Sequence, residues 1–166
     1  EKRKKFEKIY KIKAFKNLEE YTFNKSNKID LLVISVSTES NLEIIKRSLE
    51  VLKPRIILLE KPLSISFFEA KKIKSLLKKY PEVKIAVNYI RRYLLSTNYW
   101  LEKIKSKVLG KFIFGNIFYG KGLLSNGSHF VNLAEYWLGE LKFVKYFDLG
   151  KSYLDFDKEI SCQLVS

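Results

Sequence analysis

Three short apolar runs alternate with two amphipathic stretches through the first half of the chain. The runs 30–36, 55–59 and 83–87 are rich in branched apolar residues, which is typical of strands buried on both faces of a parallel sheet. Between them, apolar residues recur at helical spacing over 42–52 and 66–80. The order strand, helix, strand, helix, strand predicts right-handed crossovers and a parallel sheet.

Both of these helices carry start and stop signals. Ser40 and Ser66 are each followed three residues later by glutamate, which is the spacing of a capping box. Pro54 and Pro81 follow the two helical stretches, and proline cannot continue a helix. A further polar helix is predicted over residues 1–10, with no strand before it.

The pattern changes in the second half of the chain. A long helix is predicted over 93–108 with Gly110 placed to end it, followed by a loosely alternating strand over 111–119. A later helix is closed by Gly139, and the remaining residues predict strands joined by a turn around 155–158. The change places a domain boundary near residue 90, which divides the chain into domains 1–90 and 91–166.

The predicted parallel order brings polar segments to one edge of the sheet. Residues 37–41, 60–62 and 88–92 each follow one of the three strands. Ligands of open parallel sheets bind outside the carboxyl ends of the strands. These three segments are therefore the first candidates for a functional site.

Composition and charge narrow the class of protein. The net charge of +14 favours polyanions, but the basic residues are 27 lysines and only 5 arginines. Lysines spread through every segment indicate a solvated surface, so we expect no nucleic-acid partner. No apolar stretch approaches the roughly 20 residues that cross a bilayer. A single cysteine, Cys162, suits a reducing compartment, and we expect a cytoplasmic protein with no metal site.

Four motifs, in the correct order, carry a resemblance to a known family. They are the strand segment 30–38, Leu-Glu-Lys-Pro-Leu at 59–63, Val-Asn-Tyr-Ile-Arg-Arg-Tyr at 87–93, and the segment 123–139 that contains the single histidine. Together they resemble the glucose–fructose oxidoreductase and inositol dehydrogenase family (Gfo/Idh/MocA) of NAD(P)-dependent oxidoreductases. The resemblance implies an α/β fold, the C-terminal half of a Rossmann parallel sheet followed by the start of an α+β catalytic domain.

The resemblance also implies a reaction and its residues. Members transfer a hydride between nicotinamide, from NAD or NADP, and a secondary hydroxyl of a sugar, polyol or nucleotide sugar. Lys61 would stabilise the developing alkoxide and His129 would accept the hydroxyl proton. The cofactor-binding candidates are Ser37, Thr38, Asn41, Glu60, Lys61, Pro62 and Arg91, and the substrate-contact candidates are Asn88, Tyr119 and Asn126. We expect a small-molecule sugar or polyol as partner, no membrane, and a homo-oligomer when full length.

Two departures from the family pattern qualify these expectations. Many members carry aspartate at the position four before the histidine, where this chain has Ser125, and Asn41 stands where a histidine is often found. The chain also contains no G-x-G-x-x-G fingerprint and no methionine, so we expect a fragment that is inactive alone. NADH should bind these 166 residues weakly or not at all, and tight binding in a fluorescence titration would contradict this.

Two alternatives of other classes stay open at this point. Ser125 and Asn41 favour a family member kept as a noncatalytic binding or assembly partner. The net charge leaves a basic nucleic-acid-binding module as the less favoured alternative.

Overall fold

The computed structural model describes residues 1–24 and 29–165. The helices in these ranges are α1 (Lys2–Tyr10), α2 (Leu18–Asn24), α3 (Asn41–Val51), α4 (Phe67–Leu77), α5 (Leu95–Lys105) and α6 (Ser128–Leu138). The strands are β1 (Leu31–Ile34), β2 (Ile56–Glu60), β3 (Lys84–Asn88), β4 (Lys142–Leu154) and β5 (Asp157–Val165). The predicted mixed α/β fold class is confirmed, whereas Ser166, the last residue of the predicted second domain, lies outside the described residues.

The first three strands form one sheet in the order β1, β2, β3. β1 and β2 run parallel, with Ile34 opposite Leu59. The apolar stripe of α3 supplies Ile45 and Leu49, which are completely buried together with Ile57. Full burial of one such side chain contributes about 1.5–3 kcal/mol. One side of the apolar runs therefore packs with the helical stripe as the core, whereas Leu31 and Val33 of β1 are 53% and 55% exposed, so the expected burial on both faces is wrong for this strand.

The chain forms two compact units. The first comprises Glu1–Leu59 and Ser66–Ala86, and the second comprises Glu60–Ile65 and Val87–Ser166. The second unit contains α5, α6 and an antiparallel hairpin of β4 and β5, in which Tyr146 lies opposite Cys162. The predicted pair of strands after α6 is confirmed, including the turn that joins them.

The signals that end the helices are confirmed only in part. Gly139 closes α6 with a φ of 90°, and its N–H donates to the carbonyl of Glu135. α5 instead ends at Lys105, and the left-handed conformation that follows is taken by Lys107, with a φ of 57°. Gly110 lies five residues beyond the end of α5, so the prediction that it ends this helix is wrong.

One predicted capping box is confirmed and the other is wrong. The N–H of Glu69 donates to the Ser66 hydroxyl over 3.2 Å at the start of α4. Ser40 makes no such contact, because a 3₁₀ turn over Thr38–Ser40 precedes α3 and already gives Ser40 a helical backbone. A capping side chain works from an extended backbone, which Ser66 has and Ser40 lacks.

The predicted strand over 111–119 is wrong, because these residues form no regular element. Phe114 and Phe118 in this segment are 77% and 91% exposed. A strand is stabilised by hydrogen bonds to a neighbouring strand, and no described strand pairs with this segment. Loose alternation alone was therefore not sufficient to indicate a strand.

Candidate active site

The carboxyl ends of β2 and β3 are joined by a side-chain hydrogen bond. Asn88, the last residue of β3, donates through Nδ2 to Oε1 of Glu60, the last residue of β2, over 2.8 Å. Lys61 follows directly, and the peptide bond between Lys61 and Pro62 is cis. The Glu-Lys-Pro motif therefore begins at a strand end whose polar side chain is held by the neighbouring strand.

The Lys61 ammonium is anchored to a turn that begins the last helix. Its Nζ donates to the main-chain carbonyl of Ser125. Ser125 lies within a π-helical turn over Leu123–Gly127, and α6 starts at the next residue. Because the acceptor is a carbonyl of the main chain, this contact does not depend on which side chain stands at position 125.

A buried carboxylate holds this turn in place. Asp157, at the start of β5, is completely buried, and its two oxygens accept the N–H groups of Leu124 and Ser125 over 2.7 and 2.8 Å. Gly122, with a φ of +76°, lets the main chain approach this closely, since a Cβ there would lie 2.2 Å from the Asp157 carboxyl carbon. Asp157 therefore positions the segment that carries the Lys61 acceptor.

Sequence reasoning missed Asp157. Its only local signal is an acidic residue in the turn of a predicted hairpin, which is ordinary turn chemistry. The contact to Ser125 spans 32 residues of chain, and no pattern in the sequence indicates it.

His129 is the second residue of α6 and lies beside the same turn. Its ring packs edge-on against Tyr89, with ring centroids 5.7 Å apart. Burial lowers the pKa of His129 below its usual 6.5, and the nearby positive charges of Lys61 and Arg91 lower it further, against an opposing effect of Glu60. Its buried Nδ1 has no hydrogen-bond partner among the residues that the structure describes. The imidazole is thus neutral at neutral pH and can accept a proton.

Arg91 is held from two sides. Its Nη2 donates to Oδ1 of Asn126 over 3.2 Å, and its guanidinium lies over the Phe130 ring, 4.4 Å from the centroid. Asn126 in turn donates through Nδ2 to the carbonyl of Gly120 over 2.9 Å. These contacts connect Arg91 to the turn before α6 and to the loop that precedes it.

These side chains surround one cavity of about 530 Å³ within the second unit. Its lining residues are Lys61, Arg91, Lys121, Ser125, Asn126, His129, Tyr153 and Leu154. The structure therefore brings together four of the sequence-predicted site residues, namely Lys61, Arg91, Asn126 and His129. Lys121 and Tyr153 were not predicted, because a single lysine or tyrosine carries no signal of its own.

Glu60, Pro62 and Asn88 adjoin Lys61 without lining the cavity. Tyr119, Ser37, Thr38 and Asn41 do not line it either. The Tyr119 hydroxyl donates to the carbonyl of Ile160, and the side chain does not line the cavity; burial raises the pKa of Tyr119. Ser37, Thr38 and Asn41 belong to the first unit. There the Ser37 hydroxyl lies 3.1 Å from that of Ser40, and Asn41 is buried as the first residue of α3. Their roles toward a cofactor stay predictions.

Residues 1–24 and 29–165 offer neither a metal cluster nor a membrane-spanning helix. No group of three or more His, Cys, Asp or Glu side chains in these ranges could hold a metal ion. None of the helices described there is long and apolar enough to cross a membrane.

The first unit is a parallel α/β unit of the Rossmann type, and in the second unit a lysine and a histidine line one cavity. The sequence model of the oxidoreductase family with an NAD-binding Rossmann fold, Gfo/Idh/MocA, matches residues 1–89. The match covers more than half of the chain, which therefore belongs to this family, and the expected resemblance is confirmed. The family binds NAD, which confirms the expected nicotinamide cofactor.

Solved structures share the fold. A candidate NADPH-dependent oxidoreductase from Desulfitobacterium hafniense has a TM-score of 0.73 and 21% identity, over 96% of this chain and 50% of its own. The scyllo-inositol dehydrogenase of Lactobacillus casei, solved with NAD(H) and scyllo-inositol, has a TM-score of 0.71 and 15% identity, over 95% of this chain and 54% of its own. The myo-inositol 2-dehydrogenase of Lactobacillus plantarum has a TM-score of 0.68 and 18% identity, over 82% of this chain and 44% of its own.

The chain spans about half the length of the solved structures it matches. No curated protein sequence matches the chain significantly.

Proposed function

We propose that the protein is an NAD(P)-dependent oxidoreductase that transfers a hydride between nicotinamide and a secondary hydroxyl of a sugar, polyol or nucleotide sugar. The observation that carries the proposal is that Lys61 and His129 line one cavity. Two neighbours in fold are inositol dehydrogenases, which supports a polyol substrate. Domain 1–90 would bind the dinucleotide and carry Lys61, and domain 91–166 would form the substrate side of the site and carry His129.

The chemistry of the donor set fits such a cofactor and substrate. The cavity offers N–H donors and a proton acceptor, the groups that a hydroxyl substrate and a nicotinamide carboxamide require. Arg91 uses Nη2 to bind Asn126, and its other N–H groups could reach the carboxamide or the substrate. The residues proposed to hold the cofactor are Ser37, Thr38, Asn41, Glu60, Lys61, Pro62 and Arg91. When bound, NAD or NADP supplies the hydride acceptor.

His129 acts as the base in this proposal. Since its pKa lies below the usual value, the ring is neutral near pH 7 and can take the proton of the substrate hydroxyl. Lys61 donates toward the oxygen on which negative charge develops. Its anchor on the Ser125 carbonyl fixes the direction from which it approaches, so little reorganisation accompanies the reaction. Asn88, Tyr119 and Asn126 are the proposed substrate contacts.

The pH dependence of turnover tests the role of His129. We expect the full-length protein, supplied with NAD or NADP and a panel of sugars and polyols, to reduce the nicotinamide with at least one of them. Because a protonated imidazole cannot accept a proton, the rate should fall on acidification, with a midpoint below the usual 6.5. His129→Asn should slow the reaction and remove this acid limb. An unchanged acid limb in the variant would exclude His129 as the base.

A second candidate function is a noncatalytic binding or assembly partner. It is favoured by the absence of any described carboxylate on the His129 Nδ1, since Ser125 stands where many family members carry aspartate. Failure of the full-length protein to turn over any member of the panel would favour this candidate. Homo-oligomeric assembly and a cytoplasmic location stay predictions.

A further inference from the structure

The cavity is lined by an excess of positive charge. Lys61, Arg91 and Lys121 line it, and none of its eight lining residues is acidic. The nearby carboxylates of Glu60, Asp157 and Glu159 do not line the cavity, and each accepts hydrogen bonds from neighbouring N–H groups. The charged side chains that line the cavity are therefore all cationic.

Lys121 is presented by a loop that is fixed on both sides. The carbonyl of Gly120 accepts the Asn126 amide over 2.9 Å, and the N–H of Gly122 donates to Glu159 over 3.0 Å. Lys121 itself has a left-handed backbone, with a φ of 66°, a conformation that residues other than glycine rarely adopt. The hydrogen bonds on either side hold the loop that carries Lys121 in this conformation.

The positive charge acts on the interior of the site. Burial is the main cause of the lowered pKa of His129, and Lys61 and Arg91 lower it further against an opposing effect of Glu60, so the field of both cations reaches the imidazole. A neutral polyol would leave this charge uncompensated, whereas a negatively charged group would pair with it.

We propose that the substrate is an anion, a sugar or polyol carrying a carboxylate or a phosphate, and that Lys121 and Arg91 bind this group while Lys61 and His129 face the reacting hydroxyl. The inference rests on the proposed function, because it names the substrate class of the same site. The rival occupant of the cationic wall is the pyrophosphate of the cofactor, and the experiment separates the two.

Isothermal titration calorimetry on the full-length protein measures the preference directly, with D-glucuronate, D-glucose 6-phosphate and D-glucose as probes. We expect one of the two anions to bind at least about tenfold more tightly than glucose, as hydrogen bonds to charged groups allow. The comparison of the affinities for glucuronate and glucose 6-phosphate decides whether the bound group is a carboxylate or a phosphate. Lys121→Gln should weaken binding of the preferred anion about tenfold without changing that of glucose, and Lys121→Arg should retain it.

Lys107→Gln is the matched control, because Lys107 is also exposed, also has a left-handed backbone, and does not line the cavity. It should leave all three affinities unchanged. Equal affinity for anions and glucose, or no measurable binding of either anion, would overturn the inference. A loss of NADH affinity in Lys121→Gln without a loss of anion affinity would assign the charge to the cofactor and also overturn it.

The same titrations separate this inference from the proposed function. Tight anion binding without any nicotinamide reduction would leave the anion site standing and remove the oxidoreductase assignment. Turnover of neutral polyols without a preference for anions would support the oxidoreductase assignment and remove the anion site.

Discussion

Replacing Lys61 by alanine in the full-length protein is expected to lower kcat by about a thousandfold, as expected for the removal of an electrostatic donor at the reacting oxygen. Lys61 Nζ lies in the cavity wall, anchored to the Ser125 carbonyl, and no other described lysine is placed in this way beside His129. Since the interaction is strongest when negative charge has developed, KM should change much less than kcat. Steady-state kinetics on the best substrate of the panel measures both constants.

Lys84→Ala is the control for this variant. Lys84 begins β3, at the end of the strand opposite to Asn88, and it is exposed. It should leave kcat unchanged, which separates a specific loss from the general effect of removing a positive charge. Near-normal kcat in Lys61→Ala would remove Lys61 from the mechanism.

Replacing Asp157 by alanine is expected to destabilise the protein by about 2–5 kcal/mol, because two main-chain N–H groups lose a buried charged acceptor. The turn over Leu123–Gly127 would lose its support, and the Ser125 carbonyl that accepts Lys61 would move with it. We therefore expect a lower kcat in addition to the lower free energy of unfolding. Denaturant unfolding and turnover of the same preparation measure the two effects.

Asp155→Ala is the matched control, since Asp155 lies two residues away in the exposed hairpin turn. Its free energy of unfolding should stay within about 0.5 kcal/mol of the unmodified protein. If Asp157→Ala is as stable as this control, the carboxylate does not hold the turn. If it is unstable but retains full kcat when folded, Asp157 contributes to stability alone.

The three strands of the first half and the helices α3 and α4 could be predicted from the sequence for a physical reason, whereas α2 was not predicted. Parallel strands favour continuous apolar runs, and the helices packed against them require apolar stripes, so both patterns are visible in the sequence. The failures depended on tertiary context. The segment 111–119 alternates as a strand does but has no described strand to pair with. Ser40 has capping-box spacing, but the preceding 3₁₀ turn gives it a helical backbone.

Some residues of the candidate site could also be predicted from the sequence, and others could not. The Glu-Lys-Pro motif and the histidine segment indicated Lys61 and His129 through their family resemblance, and the structure places both in the lining of one cavity. Their catalytic roles stay predictions. Asp157 and Lys121 could not be found, because their importance comes from contacts across the fold. Lys121 is one of 27 lysines, and its left-handed backbone is not visible in the sequence.

Transfer of deuterium tests the central claim most directly. The panel substrate with the highest rate is labelled with deuterium on the carbon that bears the reacting hydroxyl, and the reduced nicotinamide formed by the full-length protein is analysed by NMR. The account predicts that the deuterium is found on the nicotinamide ring and that its transfer is lost with the rate in Lys61→Ala. Reduced nicotinamide without the label, or no reduction with any substrate of the panel, would contradict it.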